Sequence, residues 1–295
     1  VDKFCFTHTV YELHAAYSAY LEGKRGKPHF RKKYEPVQTF TTNLTNNNIK
    51  VDEEQGIIEL PYFNQRTGSP IKAVIHRPLL GRIFGAQVTR SSTGKYYAII
   101  LCKVKIEELP DNDKAVGLDL GIKDSVACSD GTIIPSLKAL YKRERSIKRT
   151  QKSLSRKYEA AKKRTAEGQR VLPSKNYLKE KAKLAKKHER VKNQRKDHAH
   201  KISHKIVSEN QVIVMEDLNV QGMKKNHCLA KAVSDANFYR IRQYIGYKGF
   251  RYGRIVVIVD RWLPSSQLCS NCRHQNKELK DLSIRVWECT NCHTI

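Results

Sequence analysis

Ala115-Val116-Gly117-Leu118-Asp119-Leu120-Gly121 and Val212-Ile213-Val214-Met215-Glu216-Asp217-Leu218 are two short runs, each with a carboxylate at or just inside its end. Both are apolar at successive positions, as expected of central strands in a sheet covered by helices on both faces. A carboxylate buried at such a strand end is costly unless a cation neutralises it. Two carboxylates converging at neighbouring strand ends make the usual protein contribution to a two-Mg²⁺ site, where the metals flank in-line attack on a phosphodiester. Asp119 and Glu216 are therefore the candidate catalytic residues and Mg²⁺ ligands, and the fold expected around them is an RNase H-like α/β domain.

The 295 residues leave room for one large domain or two to three small ones, and 39% apolar content suffices for real cores. Fifty-six Lys and Arg stand against 29 Asp and Glu, a net charge of +27. The simplest partner for that surface is a nucleic acid; an anionic membrane surface is the weaker alternative. The longest aliphatic stretch, Ile255–Val259, is far short of the roughly 20 residues of a membrane helix, and no signal peptide opens the sequence. An intracellular protein with no membrane partner is expected. Cys5, Cys102, Cys128 and Cys228 are scattered and read as buried free thiols.

Residues 1–36 begin with a helical pattern, Val10, Leu13, Ala16, Tyr17 and Tyr20 sharing one face. A basic, aromatic segment over residues 24–34 follows, in which Lys32 and Lys33 suit a nucleic-acid backbone. The alternative is a solvated loop anchored by Phe30 and Tyr34. Residues 37–110 break into short strand-like runs, 57–60, 71–76, 86–90 and 96–103, separated by glycine-rich turns, which predicts a small antiparallel barrel or meander. Residues 110–113 read as a linker.

The second domain, residues 111–263, starts at about Lys114, with further strands at 125–129 and 132–135 joined by the hairpin signal Asp130-Gly131. An insertion over residues 137–208 interrupts it. Between 137 and 200 lie 23 Lys and Arg against 6 Asp and Glu. Leu140, Ile147 and Leu154 repeat every seven residues, as do Tyr177, Leu184, Val191 and His198. This predicts a helical hairpin with one narrow apolar seam. Charge of one sign repels itself unless a polyanion neutralises it, so Lys181, Lys183, Lys186, Lys187 and Arg190 are candidate nucleic-acid contacts; a solvated face is the plainer reading. A polar stretch over 219–226, a helix over 229–247 and a strand at 255–259 follow Glu216. Asp260 is a third acid at a strand end, where an ion pair with Arg261 or a turn is the plainer reading and a metal ligand the sharper one.

Cys269 and Cys272 are two residues apart, Cys289 and Cys292 likewise, with sixteen residues between the pairs. Each pair can chelate through one tight turn, and the excursion returns as a hairpin to complete a tetrahedral thiolate site in residues 264–295. Structural Zn²⁺ is expected; a redox dithiol would need only one pair. Four protein ligands leave no position for water, so this metal should hold the fold. His293 reads as a neighbour, not a fifth ligand.

The segments 116–123, 214–218 and 261–272, the last reading Arg-Trp-Leu-Pro-Ser-Ser-Gln-Leu-Cys-Ser-Asn-Cys, closely resemble the TnpB (OrfB) family of insertion-sequence proteins, which is similar to type V CRISPR effectors. Residues 28–33 resemble that family's basic motif, 37–108 its wedge barrel and 247–253 the helix end before its last sheet strand. The resemblance implies an RNA-guided DNA endonuclease with a RuvC-like, Mg²⁺-dependent site at Asp119 and Glu216. Its partners would be a guide RNA and a target DNA, with no small-molecule substrate, in the bacterial cytoplasm at the nucleoid. It also implies a zinc ribbon on the four cysteines and a third carboxylate beyond them, in an Asp-Arg-Asp segment that this sequence does not contain. Residues 1–36 would be a remnant of a recognition region, and the site as written would cut little or not at all. A nuclease-inactive RNA- and DNA-binding module and a transposase proper are the competing readings. Arg273 and His293 stand where the family commonly has glycine.

Overall fold

Asp2 caps the first helix of the computed structural model, α1 (Lys3–Leu21), its carboxylate accepting the Phe4 N–H at 3.2 Å. The structure describes residues 2–30, 35–61, 70–165, 169, 171–264, 267–276, 278, 279, 284 and 286–294. Lys32, Lys33 and Tyr34 lie outside the described residues, while Phe30 is 97% exposed and anchors no core. The helix forms where its periodicity predicts, yet the face bearing Val10, Leu13 and Tyr17 is solvent-exposed. What ties α1 down is polar: Thr42 donates to Asp2, and His8 meets Asn43 at 2.8 Å.

The chain divides into two compact units that do not follow its linear order. One comprises Val1–Ile106 and Arg143–Val191, the other Glu107–Lys142 and Lys192–Ile295. The basic hairpin, expected within the second domain, falls mostly in the first unit.

In the first unit the strands are β1 (Gln38–Asn43), β2 (Lys50–Asp52), β3 (Ile57–Glu59), β4 (Ile71–Lys72), β5 (Arg82–Arg90) and β6 (Tyr96–Lys103). They pair as two antiparallel sheets, β1-β5-β6 and the meander β2-β3-β4. Ile49, Ile58, Leu60 and Ala86 are buried in a shared small core, with Val88 and Ile100 packed against it. Strand β5 is longer than expected because a bulge at Phe84 carries it past Gly85, where a Cβ would meet the Thr42 carbonyl oxygen at 2.7 Å. The Thr-rich β1 carries no alternating apolar signal and is absent from the sequence expectation.

The hairpin forms from α2 (Glu144–Lys163) and the first half of α3 (Lys175–Glu209). Ile147 and Val191 are the buried members of the predicted seam. Glu189 binds Thr93 at 3.1 Å and Lys95 at 3.7 Å, seating the hairpin on the β5–β6 turn.

The second unit holds β7 (Ala115–Asp119), β8 (Asp124–Cys128), β9 (Ile133–Pro135), β10 (Val212–Glu216), α4 (Val220–Lys225), α5 (Ala230–Ala236), α6 (Phe238–Arg251) and β11 (Ile255–Val259). Its five-stranded mixed sheet has the order β11-β10-β7-β8-β9, in which β11, β10 and β7 are parallel. Val116, Leu118, Ile213 and Met215 point to one face and pack with Ala199, Ile202 and Ile206 of α3 and Ile241 and Ile245 of α6. The expectation of two covered faces is corrected here. On the other face Ala115 is exposed, Gly117 and Val214 are half-buried, and Val257 is 42% exposed.

Three further expectations change. The helix predicted over 229–247 is broken at Asn237, which takes the left-handed conformation (φ 63°), separating α5 from α6. Asn tolerates that conformation better than most residues. The polar stretch after Glu216 contains α4, started by Asn219 accepting the Gly222 N–H at 2.9 Å. The linker expected at residues 110–113 is tied down at its first residue. The buried Arg254 donates to the Pro110 carbonyl at 3.0 Å, and Leu109 N–H to the Tyr252 carbonyl at 3.3 Å.

Candidate active site and metal centre

Parallel pairing runs from Val212 opposite Ala115 to Met215 opposite Leu118, so the next position on each strand brings Asp119 beside Glu216. Side chains alternate along a strand, and with Leu118 and Met215 pointing into the core both carboxylates lie on the open face. Asp119 is exposed and Glu216 half-buried. The desolvation cost anticipated for a buried pair is thus avoided by leaving that face uncovered.

Next to this pair lies a cleft of about 310 Å³. Leu120, Leu218 and the buried Phe238 are apolar parts of its lining, Glu216, Arg242 and Arg261 supply charge, and Tyr239 is exposed at its edge. Alternation turns Asp217 away from Glu216, toward the arginines: its two oxygens accept from Arg242 and Arg261. Those guanidinium groups, Arg261 first, hold its carboxyl below the usual carboxylate range. Arg261 therefore pairs with Asp217 and not with Asp260. Asp260 is exposed and accepts the Trp262 N–H at 2.7 Å, the turn-forming reading. Among the described residues no third acid joins Asp119 and Glu216 in a three-ligand group. Sequence reasoning passed over Asp217 and Arg242, whose pairing depends on strand alternation meeting a helix 25 residues away.

The four cysteines do come together, their Sγ atoms all within 4.8 Å of one another. Cys269 and Cys292 sulfurs are 3.5 Å apart, Cys272 and Cys289 3.6 Å. A tetrahedral ion with ~2.3 Å metal–sulfur bonds needs sulfurs about 3.8 Å apart, so the site fits such an ion. Each pair is closed by the same two backbone bonds. Arg273 N–H reaches the Cys269 carbonyl at 3.0 Å and Cys269 N–H the His274 carbonyl at 2.9 Å; His293 and Cys289, then Cys289 and Thr294, repeat this at 2.9 Å each. Arg273 (φ 57°) and His293 (φ 55°) adopt the left-handed conformation that glycine would take more cheaply, so the turn forms without it.

The thiols are not equivalent. The Thr294 hydroxyl and N–H lower Cys292 to about 5, and the Asn291 amide at 3.5 Å lowers Cys272. Burial raises Cys289 to about 11. His293 turns to Glu288 at 3.0 Å, the neighbour's part expected of it.

Of the candidate nucleic-acid contacts, Lys181, Lys183, Lys186 and Arg190 are exposed. Lys187 is committed inside the hairpin, donating to the Ser146 carbonyl at 2.9 Å, Ser146 Oγ at 2.7 Å and Thr150 Oγ1 at 2.6 Å.

Residues 99–227 match the family described as "Probable transposase" (OrfB of IS605), and residues 238–295 match the Cas12f1-like TNB domain. A relative in Streptomyces pristinaespiralis, named "Putative RNA-guided DNA endonuclease", is 35% identical over 226 residues, 76% of this chain and 53% of its own. The chain belongs to the TnpB (OrfB) family. InsQ of Escherichia coli (strain K12), which carries the same descriptive name, is 25% identical to this TnpB-family chain over 90% of it and 64% of InsQ. The chain thus spans between half and two thirds of these relatives. The fold is similar to Cas12f1 in a cryo-EM complex with sgRNA and target DNA, with a TM-score of 0.52 and 15% identity over 94% of this chain and 65% of that one. The second match spans the paired cysteines, and the first runs through both Asp119 and Glu216.

Proposed function

We propose that this TnpB-family chain carries the nuclease centre of an RNA-guided DNA endonuclease, with Asp119 and Glu216 as its first two acidic ligands in a RuvC-like domain. The observation that carries the reading is the β7–β10 register, which sets two carboxylates side by side on an open face at the carboxyl ends of parallel strands. Oxygen donors of this kind suit Mg²⁺, which when bound would activate water and stabilise the leaving oxygen of a phosphodiester. The protein's own part is positioning: the strand ends fix the two acids, and Asp217 fixes Arg242 and Arg261 at the cleft wall. The four cysteines hold a structural Zn²⁺, and the exposed lysines and Arg190 of the hairpin meet the backbone of a guide RNA or its heteroduplex with DNA.

A second reading, a module that binds RNA and DNA without cutting, is supported by the lack of a third acid grouped with Asp119 and Glu216 among the described residues. Incubation of the chain with guide RNA, a matching plasmid and Mg²⁺ separates the two. Metal-dependent cutting that disappears in Asp119→Ala and Glu216→Ala, with RNA binding intact, supports the nuclease. Binding without cutting supports the module, and cutting that survives both substitutions refutes the assigned site.

A further inference from the structure

Helix α6 has four cations and no carboxylate in its sequence, Phe-Tyr-Arg-Ile-Arg-Gln-Tyr-Ile-Gly-Tyr-Lys-Gly-Phe-Arg. Its inward side is accounted for by Phe238, Ile241 and Ile245, all buried, and by Lys248, which donates to the His200 carbonyl at 2.7 Å and Ser203 Oγ at 2.8 Å. Its outward side is unusual. Tyr239 is 65% exposed, Tyr247 45% and Phe250 82%, with Gln243 between them. At 100° per residue these four positions fall within an arc of about 80°, a ladder of rings along one face. Arg240 and Arg251 lie along one flank of it. Tyr247 is held in place by an edge contact with Tyr244 at 5.6 Å, and Tyr244 is itself stacked on His200 at 4.1 Å.

Three exposed rings beside cations, on a helix with no negative charge, match the chemistry that binds unpaired nucleotides. Bases stack on the rings while the cations follow the phosphates. A duplex keeps its base faces hidden, so only a single strand can use such a ladder. The ladder also has a direction, because Tyr239 lines the same cleft as Glu216. From there to Phe250 the helix runs about 16 Å, long enough for a short run of splayed nucleotides.

We infer that the outward face of α6 is a stacking track for single-stranded nucleic acid, leading to or from the Glu216 cleft. Binding by the track does not depend on catalysis; only its role as an approach to a cutting site rests on the nuclease reading.

The test measures the affinity of the full chain, without Mg²⁺, for a fluorescent thymidine homo-oligomer, a uridine homo-oligomer and a duplex of equal length over a series of salt concentrations. Tyr239→Ala/Tyr247→Ala/Phe250→Ala should weaken single-strand binding about fivefold or more for each ring. The slope of log affinity against log salt should stay unchanged, because that slope counts phosphates and not rings. Duplex binding should also stay unchanged. A loss confined to the thymidine oligomer assigns the track to a DNA strand, one confined to uridine to RNA, and a loss of both supports the shared chemistry. Unchanged single-strand affinity, or equal loss for duplex, overturns the inference. So does a change of oligomeric state with binding intact, which would make the face a protein contact. Should the triple variant not fold, crosslinking of iodouridine oligomers to the parent chain decides: adducts on Tyr239, Tyr247 or Phe250 support the track, and adducts only outside α6 overturn it. Asp119→Ala should retain this binding, so loss of cutting alone leaves the track standing.

Discussion

Replacing Asp235 by alanine should loosen the base of the basic hairpin at a cost that can be worked from the structure. The carboxylate is 11% exposed and pairs with Arg195, 20% exposed, at 2.8 Å; it also accepts the Leu140 and Tyr141 N–H groups at 3.0 to 3.3 Å. These bonds stand where the chain leaves the second unit after Lys142 and re-enters it at Lys192. Removing one partner of a buried pair costs roughly 3–5 kcal/mol, since the other charge is stranded. Residual exposure of Arg195 places the loss near the lower end, about 3 kcal/mol, into which the two orphaned N–H groups are already counted. For a fold of this size that is a fall in Tm of roughly 6–12 °C. Asp235→Ala/Arg195→Leu, which strands no charge, should recover about 1–2 kcal/mol against additivity. Urea unfolding of the metal-loaded chain, followed by circular dichroism, measures both. A loss under about 1 kcal/mol, or strict additivity, would refute the view that Asp235 anchors the hairpin.

Replacing Lys181, Lys183, Lys186 and Arg190 by glutamine should flatten the salt dependence of duplex binding by about 0.9 for each phosphate that is no longer neutralised. Lys187→Gln should instead lower the hairpin's stability and leave that slope alone, because its ammonium serves Ser146 and Thr150. Elemental analysis should find about one Zn²⁺ per chain. Zinc uptake near pH 7 should release fewer than four protons, since Cys292, at about 5, is already ionised while Cys289, at about 11, is not; release of all four contradicts the assigned inequivalence. Asp217 is held below the usual carboxylate range, so its pairing contributes from neutral pH down to about 4, the ordinary pKa, and is lost as pH falls through the lower folded value. NMR titration of the Arg242 and Arg261 side-chain N–H signals follows this, and a transition above pH 5 would contradict it.

The parts of this fold legible in the sequence are those whose signal is local. Strands β10 and β11 announce themselves as dense β-branched runs and β6 and β7 as short apolar ones, and the Cys-x-x-Cys pairs specify their own turns. What stayed hidden depends on partners distant in the chain. Gln-Thr-Phe-Thr-Thr-Asn has β-favouring threonines but no apolar alternation to mark β1 until β5 pairs with it. Lys187 looks like its exposed neighbours until α2 packs beside it, and α1 shows a periodic stripe that its own unit leaves in solvent. Asp119 and Glu216 were legible as strand-end acids; the Asp217 clamp beside them required the register.

The sulfur spacing of the metal centre carries a consequence for the chain without its ion. Cys269 and Cys292 sulfurs are 3.5 Å apart and Cys272 and Cys289 3.6 Å, and all four Sγ atoms lie within 4.8 Å of one another. The more readily ionised members, Cys272 and Cys292, are the stronger attackers of any oxidant. Oxidation after metal loss joins these sulfurs in pairs as disulfides and leaves no thiolate to take the ion back. A preparation exposed to air and then given zinc reports its oxidation history in the fraction that stays empty, and a disulfide reductant is what returns that fraction to use.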